Sequence, residues 1–440
     1  MAHPNFLNMP VQEFVETLKS NQINRFYFIY DQNKKEVIPS HQLLKPIAEF
    51  IQNDKRDFNN HEGMFFQITK EFDTLQGAFI HRTNRGQAAG GIRYWNYDNV
   101  ENYLRDGLRL SMGMTLKNAL AGLWWGGGKG VMSHNPDTDK FSPEIREYLY
   151  KEYGKLMTSL QGCYVTAEDV GTNVSDMANI FSNTRFTTCI PPTLGGSGNP
   201  SVPTARGIVS GMEAALNFLE MGTLENKVVA IQGIGNVGTP LIKFLLERNI
   251  SKIICGDINE SLVRKTKDTF GDKIEVRLLR NNDLSLFSIN CDIFSPNATG
   301  AILNPATIPL LNTKIICGAA NNQLEDYDRD DQNIFERGIL YVPDFLTNRM
   351  GIVNCADEQY GYINHDPFFE RHLENSWEHS IYQTALKVFT ESKTRKIPPS
   401  RIASKMADEL SLVNHPITGH RGIQIIQTLH ENNWANPINT

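Results

Sequence analysis

Four short runs in the N-terminal half contain lysine, arginine or aspartate, and three of them also contain glycine. They are GGIR at 90–93, MTLK at 114–117, GGGK at 126–129 and TAEDVGT at 166–172. Three glycines before Lys129 would bring the backbone close to another group and present an amine there. Two lysines that converge in a dry site lower each other's pKa, and desolvation lowers it further. A lysine that titrates near neutrality can act as an acid or a base, and Asp169 would complete the acid/base set.

Each of these runs also has an ordinary structural interpretation. Lys129 could be a solvated lysine in a turn, because glycine runs are common in loops. Lys117 taken alone is typical of a solvated helix position, and Asp169 taken alone of a turn or a helix cap. The GGGK run is not a phosphate-binding P-loop, because neither Ser nor Thr follows the lysine.

The strongest single motif is the glycine-rich run GIGNVG at 233–238, which directly follows the apolar run 228–232. Gly233 permits a tight turn, Gly235 lets a pyrophosphate approach the backbone, and Gly238 lets a helix pack closely on a strand. Asp257 ends the next apolar run, where a carboxylate accepts hydrogen bonds from ribose hydroxyls and repels a 2′-phosphate. The motif predicts NAD rather than NADP, although such a run can also simply connect strand to helix. The candidate cofactor residues here are Gly233, Gly235, Asn236, Val237, Gly238 and Asp257.

The elements around these motifs predict an α/β protein of two domains. Residues 227–342 alternate short β-rich runs with helical patterns, which is typical of βαβ units and a parallel Rossmann-type sheet. Helical spacing is found at 101–123, 143–160 and 204–220. The Gly- and Pro-rich stretch 190–203 is typical of a loop that crosses between domains. We therefore expect a catalytic and oligomerisation domain at 1–190, an NAD-binding domain at 191–350, and C-terminal helices at 351–440 that return to the catalytic domain.

Composition excludes several classes of protein. A net charge of −6 gives no electrostatic reason to expect nucleic acid or an anionic membrane as a partner. There is no apolar stretch of membrane-spanning length and no signal-peptide pattern at the start. The six cysteines form no CxxC pair, which predicts free thiols and a cytoplasmic location. The eleven histidines form no ligand-spaced pair, so we expect no metal site.

Taken together, the motifs resemble the Glu/Leu/Phe/Val dehydrogenase family, and most closely its leucine and phenylalanine dehydrogenase branch. The resemblance covers about residues 76 to 363. The motifs that carry it are GGIR, GMTLKNA at 113–119, GGGK, TAEDVGT, GSGNPS at 196–201, GIGNVG, NATGAILN at 297–304, GAANNQL at 318–324 and NCADEQYGY at 354–362. The resemblance implies two α/β domains separated by a cleft and a homo-oligomer.

The resemblance also implies an activity and a set of roles. The expected reaction is the reversible, NAD-dependent oxidative deamination of a hydrophobic L-amino acid, branched-chain or aromatic, to the 2-oxo acid and ammonia. Lys129 would activate the water that attacks the iminium, and Asp169 would be the general acid/base. Lys117 would hold the substrate carboxylate. The other residues that the resemblance places at the substrate or in the cofactor cleft are Gly91, Met114, Asn322, Thr204 and Asn297.

Three positions bear on the substrate side chain. Glutamate-specific members have a lysine where this chain has Ala89, and an alanine cannot pair with a carboxylate. Ile352 and Cys355 correspond to positions that face the substrate side chain and suggest an apolar pocket, although they could simply be core residues. An apolar pocket rejects a charged side chain through the desolvation cost.

The sequence also departs from the family pattern. Arg349 and Met350 replace the usual Ala-Gly, which could narrow the cleft or supply a substrate contact and leaves the exact substrate open. The N-terminal ~75 residues exceed what the leucine branch needs and could serve subunit assembly. Two alternatives stay open: a glutamate dehydrogenase, against which Ala89 argues, and an inactive NAD-binding regulatory protein, against which Lys117, Lys129 and Asp169 argue.

Overall fold

The computed structural model describes residues 5–280, 283–361 and 363–436, so the NCADEQYGY motif is described up to Gly361. The chain divides into two compact units. The first consists of Met1–Asn199, Glu358–Tyr362 and Ala407–Thr440, and the second of Pro200–Asp357 and Ile363–Met406. Each unit is built around its own sheet.

The first unit contains a mixed seven-stranded sheet. Its helices up to residue 199 are α1 Val11–Ser20, α2 Lys45–Asn53, α3 Val100–Leu120, α4 Pro143–Ser159 and α5 Val174–Phe181. Its strands are β1 Arg25–Asp31, β2 Glu36–Pro39, β3 Gly63–Ile68, β4 Leu75–Arg82, β5 Ala88–Trp95, β6 Gly126–Ser133 and β7 Tyr164–Glu168. The strand order is β2-β1-β3-β4-β6-β5-β7. Neighbours from β2 to β6 are antiparallel, and β5 is parallel to both β6 and β7.

Capping residues fix where the helices near the chemical motifs begin. The side chain of Asn99 accepts a hydrogen bond from the Asn102 amide at the start of α3. Asn173 and Asp176 form a reciprocal capping box at the start of α5. Such caps satisfy amide groups that have no partner inside the helix. The helices predicted at 101–123 and 143–160 are confirmed as α3 and α4.

The first 75 residues, in which the sequence showed no chemical motif, form part of this sheet and of its core. Phe14 of α1 packs edge-on against Phe26 of β1, and the ring of Phe26 stacks on Phe66 of β3 with a centroid distance of 4.6 Å. All three phenylalanines are buried in one cluster. This segment is therefore integral to the first unit, and its role in subunit assembly stays a prediction.

The second unit contains a parallel six-stranded sheet. Its strands are β8 Val228–Gln232, β9 Lys252–Asp257, β10 Glu275–Leu278, β11 Ile293–Pro296, β12 Ile315–Ile316 and β13 Leu340–Tyr341. The order β10-β9-β8-β11-β12-β13 with every pair parallel corresponds to the Rossmann order 3-2-1-4-5-6. The predicted α/β fold with a Rossmann-type sheet is confirmed.

Helices accompany this sheet along the chain from Ser201 onward. They are α6 Ser201–Phe218, α7 Gly238–Leu246, α8 Glu260–Phe270, α9 Tyr327–Glu336, α10 Asp344–Thr347, α11 Met350–Gly361, α12 Pro367–Glu370, α13 Ile381–Arg395 and α14 Pro399–Ser411. α11 and α14 each continue from residues of the second unit into residues of the first. The helix predicted at 204–220 is confirmed as α6.

The last helix, α15 Arg421–Glu431, belongs to the first unit. His430 shares a hydrogen bond of 2.8 Å with the Tyr27 hydroxyl of β1. Just beyond the helix, the Trp434 ring packs against Phe65 of β3. His420, just before the helix, lies 2.9 Å from the buried carboxylate of Glu62. The end of the chain thus covers strands contributed by its beginning.

Three general features bear on function. All six cysteines are buried free thiols. No helix in the described part of the chain is long and apolar enough to cross a membrane. Within residues 5–280, 283–361 and 363–436, no three or more His, Cys, Asp or Glu side chains are grouped so as to hold a metal ion.

Candidate active site

Lys129 lies in a strand and is buried. The run Gly126-Gly127-Gly128-Lys129 forms the first half of β6, and every residue of that strand is buried. The Lys129 side chain is only 5% exposed. The interpretation of Lys129 as a solvated turn lysine is therefore wrong.

The glycines before Lys129 allow neighbouring elements to approach the strand closely. A Cβ on Gly127 would collide with Thr115 of α3 and lie 2.6 Å from the Ser111 carbonyl oxygen. A Cβ on Gly128 would lie 2.6 Å from the Tyr164 ring of β7. Asn118 of α3 donates from Nδ2 to the carbonyl oxygen of Gly126 at 2.5 Å, which ties the helix to the strand. The glycine run therefore creates packing space rather than backbone freedom.

Lys129 pairs directly with Asp169. The distance from Lys129 Nζ to Asp169 Oδ2 is 2.5 Å. Asp169 follows the last residue of β7, and its amide donates to the Thr172 hydroxyl at 2.9 Å. The same hydroxyl donates to the Asp169 carbonyl oxygen at 2.7 Å, so the turn that carries the aspartate is fixed at both backbone groups. The predicted acid/base residues are thus brought into contact, while their roles stay predictions.

Arg93 is a second cation beside the pair, and it was missed in the sequence analysis. Its Nε lies 3.5 Å from Asp169 Oδ2. Its Nη1 donates to both carboxylate oxygens of Asp106 of α3, at 3.1 and 3.0 Å. The hydroxyl of Tyr97 donates to Asp106 at 2.7 Å. The arginine of GGIR was visible as a residue type, but no spacing rule links a strand arginine to an aspartate on the following helix.

The charges in this site shift both pKa values of the pair. Burial lowers the pKa of Lys129, and although Asp169 raises it and Arg93 lowers it, the net pKa stays below the ordinary lysine value. Burial raises the pKa of Asp169, but Lys129 and Arg93 lower it by more, so the carboxyl titrates below its ordinary range. The sequence predicted that desolvation and a second lysine lower the pKa of Lys129, and in the structure desolvation and Arg93 lower it.

The remaining predicted substrate residues of the first unit lie on β5 and α3, the two elements that pack against β6. A Cβ on Gly91 would lie 2.6 Å from the Glu168 carbonyl oxygen and 2.7 Å from the Cβ of Asp169, so the Gly91 backbone lies against Asp169. Met114 of α3 lies beside Gly90, where a Cβ would come within 2.8 Å of its Cγ. Lys117 is half-buried one helical turn further along α3, and Ala89 is a buried residue of β5.

Three predicted substrate residues belong to the second unit. Ile352 and Cys355 are buried residues of α11, with exposures of 7% and 3%. Asn322 is exposed and has a φ of +53°, and its amide donates to Asp344 Oδ2 at 2.6 Å. Their contact with substrate stays a prediction.

The unusual pair Arg349-Met350 is buried inside the second unit. Both side chains are fully buried, and Arg349 donates to the backbone carbonyl of His379. Met350 packs at Gly207 of α6, where a Cβ would lie 2.8 Å from its Cγ. Burial lowers the pKa of Arg349 to about 9. Within this unit the two large residues therefore serve packing at the start of α11.

The glycine fingerprint forms the turn between β8 and α7. Gly233 has a φ of +91°, a conformation that side chains rarely adopt, and a Cβ there would lie 2.8 Å from the Ala298 amide nitrogen. Gly238 is the first residue of α7 and packs on the carbonyl of Gly233. A Cβ on Gly235 would meet no protein atom within 4 Å. Gly235 therefore leaves open the space that a pyrophosphate needs at the helix N-terminus.

Asp257 ends β9 and faces this turn. Its Oδ2 accepts a hydrogen bond from the Ile234 amide at 3.0 Å, and its Oδ1 accepts one from the Asn259 amide at 2.9 Å. Each carboxylate oxygen can accept a further bond. Of the two non-glycine residues of the fingerprint that are predicted to bind the cofactor, Asn236 is exposed and Val237 half-buried. This combination of turn, helix N-terminus and carboxylate fits a nicotinamide dinucleotide.

Thr204 and Asn297 are held by hydrogen bonds within the second unit. The Thr204 hydroxyl donates to the Pro200 carbonyl at 2.9 Å in the first turn of α6. Asn297 Nδ2 donates to the Ser295 carbonyl at 2.9 Å, and its Oδ1 accepts from the Ala319 amide at 2.8 Å. These bonds fix both side chains, and their contact with a cofactor stays a prediction.

Comparison with known proteins places these features in a family. Residues 67–186 match the dimerisation domain of Glu/Leu/Phe/Val dehydrogenase, and residues 195–412 match Glutamate/Leucine/Phenylalanine/Valine dehydrogenase. The leucine dehydrogenase of Geobacillus stearothermophilus is 42% identical over 80% of this chain and 90% of its own. The phenylalanine dehydrogenase of Lysinibacillus sphaericus is 38% identical over 76% of this chain and 84% of its own.

A solved structure extends the comparison. The L-tryptophan dehydrogenase of Nostoc punctiforme has 32% sequence identity and a TM-score of 0.64, covering 80% of this chain and 96% of its own. Enzymes of this family are NAD(P)-dependent, in agreement with the fingerprint. The chain belongs to the Glu/Leu/Phe/Val dehydrogenase family and is an amino acid dehydrogenase.

Proposed function

We propose that this enzyme catalyses the reversible, NAD-dependent oxidative deamination of a hydrophobic L-amino acid, branched-chain or aromatic. The products are the 2-oxo acid, ammonia, NADH and a proton. The observation that carries the proposal is the buried Lys129–Asp169 pair, whose side chains meet at 2.5 Å beside the backbone of Gly91. A lysine and a carboxylate in contact can pass protons between water and a reacting amine.

The proposed chemistry assigns one task to each residue. A dinucleotide held at the glycine turn by Gly233, Gly235 and Asp257 would supply the hydride acceptor for the amino acid Cα, and loss of the hydride would leave an iminium. Neutral Lys129 then removes a proton from water, and the resulting hydroxide adds to the iminium carbon. The proton that Lys129 has taken passes through the carboxylate of Asp169 to the amino group. The C–N bond then breaks, ammonia leaves, and the hydroxyl proton of the tetrahedral carbon returns to Lys129. Lys117 holds the substrate carboxylate and so keeps Cα in place.

Burial of Lys129 supports its role as a base. The pKa of Lys129 is lowered by burial and by Arg93, although Asp169 opposes this shift. A lower pKa increases the fraction of neutral amine at physiological pH. Because proton transfer is most effective when the pKa of the base lies near the working pH, this shift favours the proposed step.

Several observations support a hydrophobic substrate. Ala89 is buried in β5 and offers no cation for a substrate side-chain carboxylate. Ile352 and Cys355 are apolar and buried in α11. Relatives with 37–42% identity are named leucine, valine and phenylalanine dehydrogenases. A charged side chain in an apolar pocket would lose its hydration without compensation.

The preference for NAD over NADP is proposed from Asp257. Its carboxylate stands at the end of β9 beside the glycine turn, where a ribose would bind. It would accept hydrogen bonds from ribose hydroxyls and repel a 2′-phosphate. We also propose a homo-oligomer, because the matched N-terminal domain is described as a dimerisation domain.

The test is NAD reduction measured across a panel of L-amino acids, with NADP measured in parallel. We expect the highest kcat/KM with leucine, valine, isoleucine or phenylalanine, and little activity with glutamate. Activity with glutamate alone would contradict the proposed substrate class. Equal use of NADP would contradict the proposed role of Asp257.

A further inference from the structure

The carboxylate of Asp169 lies between two cations of different chemistry. Lys129 Nζ is 2.5 Å from Asp169 Oδ2, and Arg93 Nε is 3.5 Å from the same oxygen. The Lys129 side chain is 5% exposed, Asp169 16% and Arg93 19%. Water therefore screens these charges only weakly.

The proposed mechanism creates a difficulty for this pair. When Lys129 becomes neutral in order to take a proton from water, Asp169 loses its nearest positive charge. A buried carboxylate without a cation is costly, and it then competes for the proton that the lysine must accept. A second permanent positive charge beside Asp169 removes this difficulty.

We propose that Arg93 is a positioning residue that keeps Asp169 ionised and in place while Lys129 is neutral. This inference rests on the proposed function, in which Lys129 acts as the base. Arginine suits the task because its guanidinium does not lose its proton in proteins, whereas a lysine in the same place could. Arg93 thereby directs the labile proton to Lys129.

The anchoring of Arg93 supports this role. Its Nη1 donates to both oxygens of Asp106, and Asp106 accepts a further bond of 2.7 Å from Tyr97. Asp106 lies on α3 and is 7% exposed. Because the guanidinium is planar, holding Nη1 at Asp106 also fixes the direction in which Nε faces Asp169. An arginine placed only to neutralise Asp106 would need no second carboxylate beside its Nε.

Other charged groups around the pair must be considered in any pH experiment. Burial raises the pKa of Glu168, which adjoins Asp169 in β7, to about 7. The Glu168 carboxylate accepts a hydrogen bond of 2.9 Å from Asn199 Nδ2. Further ionisable groups on the elements around the pair are half-buried Lys117 and exposed Arg109 on α3, Tyr164 on β7 and Asp176 on α5.

The test is the pH dependence of kcat and KM with NAD and L-leucine, or with the amino acid of the panel that the wild-type enzyme oxidises fastest. In the wild-type enzyme we expect kcat to rise with pH as Lys129 loses its proton, which gives the pH profile a rising limb. In Arg93→Gln the loss of a neighbouring cation raises the pKa of Lys129, so we expect this limb to move about one unit to higher pH. We expect kcat at neutral pH to fall at least about tenfold and KM for the amino acid to change less than about threefold.

A variant with the opposite charge change separates electrostatics from general disruption. Asp106 raises the pKa of Lys129, so Asp106→Asn should move the same limb to lower pH. Arg93→Lys keeps a cation but not the two-point contact, so the limb should stay near the wild-type pH while kcat falls. Arg109→Gln is the matched control, because Arg109 is 47% exposed and touches Asp106 only at 3.3 Å. It should leave the limb in place.

Distinct outcomes would overturn the inference. One is that the rising limb of Arg93→Gln stays at the wild-type pH. Another is that the limbs of Arg93→Gln and Asp106→Asn move in the same direction. A third is that the limb disappears in Glu168→Gln, which would assign the titrating group to Glu168. If Arg93→Gln does not fold, Asp106→Asn and Arg93→Lys decide the matter by the same limb. If the wild-type enzyme fails to reduce NAD with every amino acid of the panel, that result would instead contradict the proposed function. The two failures are therefore distinguishable.

Discussion

A Cβ on Gly128 of the first unit would lie 2.6 Å from the Tyr164 ring, whereas a Cβ on Gly235 of the second unit would meet no protein atom within 4 Å. Both glycines precede residues proposed to do chemistry or to bind a cofactor. In β6, other protein atoms occupy the space where a glycine lacks a side chain. In the β8–α7 turn, the corresponding space beside Gly235 is open. Glycine beside a functional residue can therefore mean close packing or a ligand site, and only the surroundings distinguish the two.

The two regions also differ in the source of their charge. Around Lys129 the charges are buried side chains that pair with one another, from Asp169 and Arg93 to Asp106. At the fingerprint the positive end of α7 comes from backbone amides, and Asp257 supplies one carboxylate. Side-chain charges can exchange protons near neutral pH, whereas backbone amides cannot. The first arrangement suits proton transfer and the second suits holding a dinucleotide.

The largest expected effect comes from removing the amine of the first region. Lys129→Ala should lower kcat by about 10³-fold, because general acid/base groups contribute about 10² to 10⁴-fold. Steady-state NAD reduction with the best amino acid measures this change. The matched control is Lys155→Ala, since that lysine is 59% exposed and pairs with Glu152 at the surface. Full turnover by Lys129→Ala would show that the pair with Asp169 is structural.

The packing side of the comparison can be tested at Gly127. Gly127→Ala should destabilise the protein by about 2 kcal/mol, because the new methyl group collides with Thr115 and overpacking in a core costs about 1–3 kcal/mol. Thermal or urea unfolding measures the change. Gly113→Ala in α3 is the control, since a Cβ there meets nothing within 4 Å and alanine favours a helix. Equal stability of Gly127→Ala and wild type would refute close packing as the reason for the run.

Cofactor choice tests the single carboxylate of the second region. Asp257→Asn should raise KM for NAD by about tenfold and improve use of NADP, because it removes charge while leaving an amide oxygen for the Ile234 amide. Asp257→Ser removes both the charge and that acceptor. Comparing the two separates repulsion of a 2′-phosphate from support of the turn. An unchanged ratio of NAD to NADP activity in both variants would argue against the role of Asp257.

The smallest effect is expected at the open glycine. Gly235→Ala should change stability by no more than about 0.5 kcal/mol, because its Cβ meets no protein atom and its φ lies outside the left-handed region. KM for NAD should nevertheless rise about fivefold, since the methyl group occupies space beside the bound pyrophosphate. Unfolding measures the change in stability, and steady-state kinetics on the same sample measures KM for NAD. A large loss of stability with normal KM would reverse the contrast with Gly127.

The Rossmann-type unit was largely predictable from the sequence. Its signals are local: a β-rich run, the glycine turn, a helix and then Asp257, all within about 30 residues as expected for a βαβ unit. The alternation of β-rich runs and helices predicted for residues 227–342 begins with β8, α7, β9 and α8. The fold class and the family followed from these signals and from the motif order.

The first unit was harder to predict. The run GGGK lacks the β-branched and aromatic residues typical of strands, so sequence alone left a turn as an equal alternative. It becomes a strand because β4 and β5 pair with it on both sides and α3 packs over its glycines. The pattern in the first 75 residues likewise did not reveal three strands of the same sheet.

The sequence by itself determined the residue types, the motif order and the local βαβ periodicity, and these were sufficient for the fold class, the dinucleotide fingerprint and the candidates Lys129 and Asp169. Tertiary structure alone decided that Lys129 is buried and that it contacts Asp169, 40 residues away. It also decided that Arg93 lies beside Asp169 and pairs with Asp106. The reason is physical. Propensity and periodicity are set by neighbours along the chain, whereas burial and ion pairing arise from elements that meet only when the sheet closes around them.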